Sequence, residues 1–111
     1  MARSRRVFYH DQQGRQRKNV GWDPITKKSA VVITAAEWLP PSSATSGSIF
    51  GLENERPNLG DADIWVSNVG VHGPEGGAGG VEFYLHVDFF RPLGVMVTIT
   101  VLEEIERFDP A

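Results

Sequence analysis

The strongest constraint on the fold is a strict alternation of apolar and polar side chains in residues 81–101. The alternation runs through VEFYLHVDFF and resumes, after RPLG, in VMVTITV. A period of two residues is typical of strands that bury one face. The linker contains a proline and a glycine, which favour a turn. We therefore predict an antiparallel β-hairpin with Val87 opposite Val97 and Leu85 opposite Ile99.

Other segments of the chain also have strand character, and glycine or proline separates them. Residues 29–39 and 62–71 are rich in β-branched and aromatic side chains, and residues 7–10 form a possible short strand. The strand over residues 62–71 is expected to pair with the first strand of the hairpin, and parity predicts Val69 opposite Phe83. No long helix is indicated. The pattern predicts an all-β fold, a small antiparallel β-sandwich or barrel of about five to seven strands.

Composition excludes several classes of protein. The chain has 111 residues and no cysteine, which rules out a disulfide framework and a thiolate metal site. It has no apolar run of about 18 residues, so no membrane span is predicted. Its first residues are basic but lack an apolar core, so no secretory signal is predicted. We expect a soluble protein of the cytoplasm or of an assembled particle.

Charge divides the chain into two parts. Residues 1–28 carry eight basic and two acidic side chains, whereas residues 29–111 carry three basic and twelve acidic ones. The division predicts a basic N-terminal arm over residues 1–28, with a possible short strand, followed by a β domain over residues 29–111. Such an arm suits an acidic partner, either a second copy or another protein. Aromatic residues in the arm also suit nucleic acid, but the net charge of −3 argues against it.

A polar face on the predicted hairpin is the first candidate site. Tyr84, His86 and Asp88 alternate with apolar residues and therefore share one side of a strand. In a hairpin the two threonines of the second strand lie on that side. The aromatic platform for a sugar is Trp22, Trp38, Trp65 or Tyr84. An ordinary solvent-facing surface is the alternative. The predicted ligand-binding residues are Tyr84, His86, Asp88, Thr98, Thr100 and Trp65.

A second candidate site consists of apolar residues at hairpin positions where the alternation predicts outward-facing polar side chains. They indicate either a core on both faces or an interface between subunits, and unpaired edge strands favour the interface. Together with the basic arm they define a predicted interface. Its residues are Arg3, Arg5, Arg6, Phe50, Phe90 and Met96.

Motifs for catalysis and for cofactors are not found in the sequence. The three histidines match no metal-ligand spacing, GxSxG is missing, and the glycine-rich GPEGGAGG lacks the lysine and helix of a phosphate loop. We predict no metal, no cofactor and no catalytic residue. The leading hypothesis is a non-catalytic, self-associating interaction or structural assembly module. The alternative is a carbohydrate-binding domain with His86 and Asp88 as hydrogen-bond partners, and an enzyme using the Tyr84, His86 and Asp88 face is the third hypothesis.

Overall fold

Six strands in two sheets make up the protein. The computed structural model describes residues 2–40, 51–75 and 77–111. Within these residues each sheet has three antiparallel strands, in the orders β1-β6-β3 (sheet A) and β2-β5-β4 (sheet B). The two sheets pack face to face, so the predicted all-β sandwich is confirmed. The strands are β1 (Arg3–Gln12), β2 (Gly14–Gly21), β3 (Ser29–Trp38), β4 (Asp63–His72), β5 (Gly80–Asp88) and β6 (Leu93–Glu104).

The predicted hairpin between β5 and β6 is wrong. β5 is the central strand of sheet B and β6 is the central strand of sheet A, so Val87 pairs with neither Val97 nor any residue of β6. Residues 89–92 carry the chain from one sheet to the other. Four residues reach up to about 14 Å, enough to cross the ~10 Å between packed sheets. The alternation shows which side chains of a strand are buried. Those side chains are the same whether the next strand pairs with it in one sheet or lies in the opposite sheet.

The inward side chains of β5 and β6 meet across the sandwich and form the core. Eight of them are 5% exposed or less, and β-branched residues from the outer strands surround them. Ile25, in the loop after β2, closes one end with 1% exposure. The eight are Val81, Phe83, Leu85, Val87, Val95, Val97, Ile99 and Val101.

Strands β4 and β5 are neighbours, as predicted. Gly70 pairs with Glu82 and Val71 with Val81, which is the register that Val69 opposite Phe83 implies. The register shifts by one residue between Ser67 and Gly70, so residues 63–67 depart from the expected pairing. Asn68 within the break has a φ of 55°. A bulge of this kind shifts the register and leaves one residue without a cross-strand partner.

The basic N-terminal segment contributes one strand to each sheet. β1 pairs with β6 over most of its length, and β2 pairs with β5 from Gly14 to Gly21. Two contacts join β1 to β2 along the side of the sandwich. The Arg5 guanidinium donates to the Gly21 carbonyl oxygen at 2.8 Å, and the Lys18 ammonium lies 4.4 Å from the centre of the Tyr9 ring. Residues 3–21 are therefore part of the β domain.

The outer face of sheet A is covered at the end where Trp38 and Met96 lie. Trp38 and Met96 lie on this face by register, yet they are 3% and 1% exposed. The Trp38 ring contacts Phe8 and His10 with centroid separations of 4.9 Å each. Its Nε1 donates to Glu55 Oε1 at 3.2 Å, in the segment that follows the short 3-10 helix Leu52–Asn54. Strand β6 is therefore buried on both faces at Met96.

Candidate functional site

The outer face of sheet B carries polar and aromatic side chains, and two of its aromatic rings lie side by side. Register places Arg15, His86 and Trp65 in one row across the three strands, and Arg17, Tyr84 and Ser67 in the next. Every second residue of each strand faces outward, which brings these side chains together. We call this surface the open face, and it consists of Arg15, Arg17, Asp63, Trp65, Ser67, Glu82, Tyr84, His86 and Asp88.

Trp65 and His86 form a stacked pair at the centre of the open face. Their ring centroids are 4.7 Å apart and their planes differ by 3°. Ser67 Oγ and His86 Nε2 are 2.8 Å apart and share a hydrogen bond, which fixes the orientation of the imidazole. Trp65 keeps 47% of its surface exposed. A large aromatic ring is thus held in position while much of it remains open to a ligand.

Arg15 and Arg17 project from β2 onto the same face but have different partners. The guanidinium carbon of Arg15 lies 3.8 Å from the centre of the Tyr84 ring, a cation–π contact. Arg17 instead donates to Glu82 Oε1 at 2.6 Å. This hydrogen bond, followed by the attraction between the two charges, raises the pKa of Arg17. In the part of the chain that the structure describes, no carboxylate forms an ion pair with Arg15.

A shallow depression lies beside the stacked pair. Its volume is about 160 Å³, and Trp65 and His86 form part of its wall. Arg15 and Asp88 also line it, so a cation and a carboxylate flank the aromatic rings. The depression can therefore offer a ring surface, hydrogen-bond donors and a hydrogen-bond acceptor to one ligand.

The structure brings some of the sequence-predicted ligand-binding residues together and separates others. Tyr84, His86, Asp88 and Trp65 share the open face. Thr98 and Thr100 lie on the outer face of sheet A, so their predicted place beside Tyr84 is wrong. The error follows from the hairpin, which would have put the two threonines in the same sheet as β5. Thr98 Oγ1 instead accepts a hydrogen bond from Arg6 Nε at 2.8 Å, and Thr100 lies 3.5 Å from the Ser4 hydroxyl.

The residues of the predicted interface are scattered. Arg3 lies 5.8 Å from the Trp22 ring, and Arg5 and Arg6 have the hydrogen bonds described above. Phe90 is 80% exposed, in the connection between β5 and β6. Met96 is buried. The two alternatives for this position were a core on both faces and an interface between subunits, and the burial of Met96 supports the core. Phe50 lies outside the described residues.

A second concavity lies on the outer face of sheet A. Its volume is about 390 Å³, and Arg6, Phe8, Thr98 and Leu52 are among the residues that line it. Arg6 already donates to Thr98. No stacked aromatic pair is found there in the described residues, so the open face of sheet B is the stronger candidate.

The three histidines lie apart from one another, and each has its own partner. In residues 2–40, 51–75 and 77–111, no three side chains among His, Asp and Glu come close enough to hold a metal ion. His10 contacts Trp38, His72 bonds to Asn19 at 3.0 Å, and His86 bonds to Ser67. The arrangement on the open face can stack on a ligand and form hydrogen bonds with it.

Sequence reasoning predicted four of the nine residues of the open face as ligand-binding and missed the other five, which are Arg15, Arg17, Asp63, Ser67 and Glu82. The parity of β2 places both arginines on one side, which is a usable signal. Lys18 has the opposite parity, so basic side chains fall on both sides of this segment. The sequence alone therefore favoured a solvated arm over a strand with one basic face. Ser67 became visible only through the pairing of β4 with β5.

No helix among the described residues has the length and apolar character needed to cross a membrane. Comparison of the chain with protein-family models, with curated proteins and with solved structures gives no match.

Proposed function

We propose that the protein is a non-catalytic binding module that binds a carbohydrate on the open face of sheet B. The observation that carries this proposal is Trp65, half-exposed and held flat against His86 beside a depression. A rigid aromatic ring offers a large contact area at a low cost in conformational entropy. The apolar C–H face of a sugar ring packs against such a surface.

Polar groups around Trp65 suit the hydroxyl groups of a sugar. Asp88 accepts hydrogen bonds and Arg15 donates them, and both line the depression with Trp65. Ser67 holds His86 through its Nε2 and so prepares the site before a ligand arrives. Preorganisation of this kind reduces the entropy lost on binding.

The size of the depression sets an expectation for affinity. Its volume of about 160 Å³ is below the roughly 300–1,000 Å³ of a pocket that encloses a small molecule. The open face therefore suits one or two units of a longer chain that lies across the sheet. We expect dissociation constants of about 10 μM to 1 mM, which correspond to roughly 4–7 kcal/mol.

A glycan array followed by titration tests the proposal. We expect binding to at least one class of oligosaccharide, and loss of that binding in Trp65→Ala. Phe90→Ala is the matched control, because it removes an aromatic ring that is 80% exposed and lies outside the open face. A protein that binds no glycan, or one whose binding survives Trp65→Ala, would contradict the proposal.

Self-association is a second candidate function, favoured by exposed apolar side chains elsewhere. Leu59 and Phe90 are 102% and 80% exposed, and exposed apolar side chains mark contacts between proteins where they form a contiguous patch. Strand pairing between copies is not the expected route. Lys18 and Glu37 point inward from β2 and β3, and inward charges on outer strands discourage edge-to-edge pairing.

Light scattering at about 50 mM and 500 mM salt separates the possible outcomes, because the higher salt concentration screens charge pairing. An oligomer that weakens with salt supports assembly between the basic and acidic parts of neighbouring chains. An oligomer insensitive to salt, and disrupted by combining Leu59→Ser with Phe90→Ser, supports apolar contacts. A monomer at both salt concentrations contradicts self-association.

A further inference from the structure

Arg15 is positioned to bind an anionic group. It lines the depression beside Trp65, and its guanidinium carbon lies 3.8 Å from the centre of the Tyr84 ring. Stacking of a guanidinium on an aromatic ring leaves the N–H donors free at its edge. Because Tyr84 already restricts the side chain, little further conformational entropy is lost when a ligand binds.

The contrast with Arg17 shows that the charge of Arg15 is available. Both arginines project from β2 onto the open face, two residues apart. Arg17 is engaged by Glu82 at 2.6 Å, with 68% and 42% of the two side chains exposed. Among the described residues Arg15 has no carboxylate partner, and its principal contact is the face of Tyr84.

From this arrangement we infer that the ligand of the open face is an acidic carbohydrate, whose carboxylate is bound by Arg15. The inference rests on the proposed carbohydrate binding and adds the chemical class of the sugar. A guanidinium binds a carboxylate through two parallel N–H···O hydrogen bonds, stronger than those between neutral groups. The sugar ring that carries the carboxylate then lies in the depression that Arg15, His86 and Trp65 line together.

The other charges on the face favour a ligand with one carboxylate per sugar over a densely sulfated one. Asp88 lines the depression with Arg15, and Asp63 lies directly opposite Asp88 on the neighbouring strand. A polyanion with several charges per unit would be repelled by these two carboxylates. A uronic acid places one negative charge at Arg15 and leaves its hydroxyl groups for Asp88.

Calorimetric titration with matched pairs of oligosaccharides tests the inference. The probes are oligosaccharides of polygalacturonate, alginate and glucuronoxylan, each compared with its carboxyl-reduced, neutral counterpart. We expect at least one acidic oligosaccharide to bind about ten- to hundredfold more tightly than its reduced counterpart. This comparison uses the unmodified protein and does not depend on the folding of a variant.

Variants of Arg15 locate the effect. We expect Arg15→Gln to lower affinity for the acidic oligosaccharide to that of the reduced one, with little change for the reduced one. Arg15→Lys keeps the charge but loses the planar fork, and we expect it to recover affinity only in part. Arg6→Gln is the matched control, because it removes the same charge from the outer face of sheet A. Melting temperatures of all three confirm that each is folded.

The outcomes that overturn the inference differ from those that overturn the proposed function. Equal binding of acidic and reduced oligosaccharides leaves carbohydrate binding intact and removes the role of Arg15. A preference for acidic sugars that persists in Arg15→Gln also contradicts the inference. So does Arg15-dependent binding of a sulfated neutral oligosaccharide without binding of uronates. Binding of neither neutral nor acidic sugars overturns both proposals.

Discussion

Each sheet carries a tryptophan–histidine pair on its outer face, and the two pairs have opposite surroundings. On sheet A, Trp38 meets His10 edge to face with an interplanar angle of 62°, and it is 3% exposed. On sheet B, Trp65 stacks on His86 within 3° of parallel and is 47% exposed. The same residue types therefore complete a core on one sheet and form an open surface on the other.

The difference between the two pairs comes from what lies above each sheet. Trp38 has Phe8 against its ring and Glu55 on its indole nitrogen, so both its apolar and its polar groups are satisfied. Trp65 has a partner on one side only among the described residues. An aromatic ring that the fold leaves half-exposed and fixed in place contributes little to stability, which makes it a candidate for binding.

The largest predicted difference is in stability. Trp38→Ala should lower the free energy of unfolding by about 3–5 kcal/mol, since it leaves a cavity beneath the covering segment. Trp65→Ala should cost clearly less, because almost half of the side-chain surface is already exposed to solvent in the folded protein. Urea unfolding followed by circular dichroism measures both. Equal losses for the two variants would contradict the division into a covered and an open face.

Removing the polar contact that covers Trp38 should have a smaller effect. We expect Glu55→Ala to lower the free energy of unfolding by about 1 kcal/mol, the usual net contribution of a hydrogen bond. Glu53→Ala, an exposed position in the 3-10 helix Leu52–Asn54, serves as the control. Urea unfolding should show a loss for Glu55→Ala alone. An equal effect of both variants would indicate a general charge effect instead.

On the open face, Trp65 and His86 should be coupled through their stack. A double-mutant cycle with Trp65→Ala and His86→Ala should give an interaction free energy of about 0.5–1 kcal/mol. Strict additivity in urea unfolding would mean that the parallel rings do not stabilise each other. Ser67→Ala, combined with His86→Ala in the same way, measures the separate hydrogen bond.

The smallest effect concerns Lys18, which points between the sheets. Burial lowers the pKa of Lys18 below its ordinary 10.5. In the pH range between the folded and unfolded values, the unfolded chain binds more protons, so stability rises with pH. We therefore expect the unmodified protein to gain stability relative to Lys18→Met as pH increases from neutral toward 10.5. If urea unfolding gives the same stability difference between the two proteins across that range, the lowered pKa of Lys18 in the folded protein is contradicted.

Tyr9 acts in the opposite direction on the same side of the sandwich. Burial raises its pKa above 10.0, an effect that Arg5 partly offsets. Above that pH the unfolded chain loses the phenolic proton first, so stability falls as pH rises further. Because the Lys18 ammonium contacts the Tyr9 ring, Lys18→Met changes the surroundings of Tyr9. The two proteins are therefore compared below pH 10.0, where Tyr9 keeps its proton.

Part of the fold and part of the open face could be predicted from the sequence. The alternation in β5 and β6 reports correctly which side chains are buried, because period two is a property of a single strand. The alternation does not identify the neighbouring strand, which is why the predicted hairpin was wrong. Tyr84 and His86 were placed on one face by the same local rule. Trp65 joins them through the pairing of β4 with β5.

Features that depend on contacts distant in sequence could not be predicted. Met96 lies on the outward parity of β6, and its burial depends on what covers sheet A. Arg15 reaches Tyr84 only because β2 pairs with β5, whereas the sequence alone presents it within a basic segment. The register break at Asn68 likewise has no clear local signal.

The most direct test of the account is a two-dimensional NMR titration of the labelled protein with the best-binding oligosaccharide. We expect the chemical-shift changes to concentrate on β2, β4 and β5, with the Trp65 indole N–H among the largest and the Trp38 indole N–H unchanged. Shift changes centred on the outer face of sheet A would contradict it. So would a spectrum that remains unchanged at about 5 mM oligosaccharide, well above the expected dissociation constants.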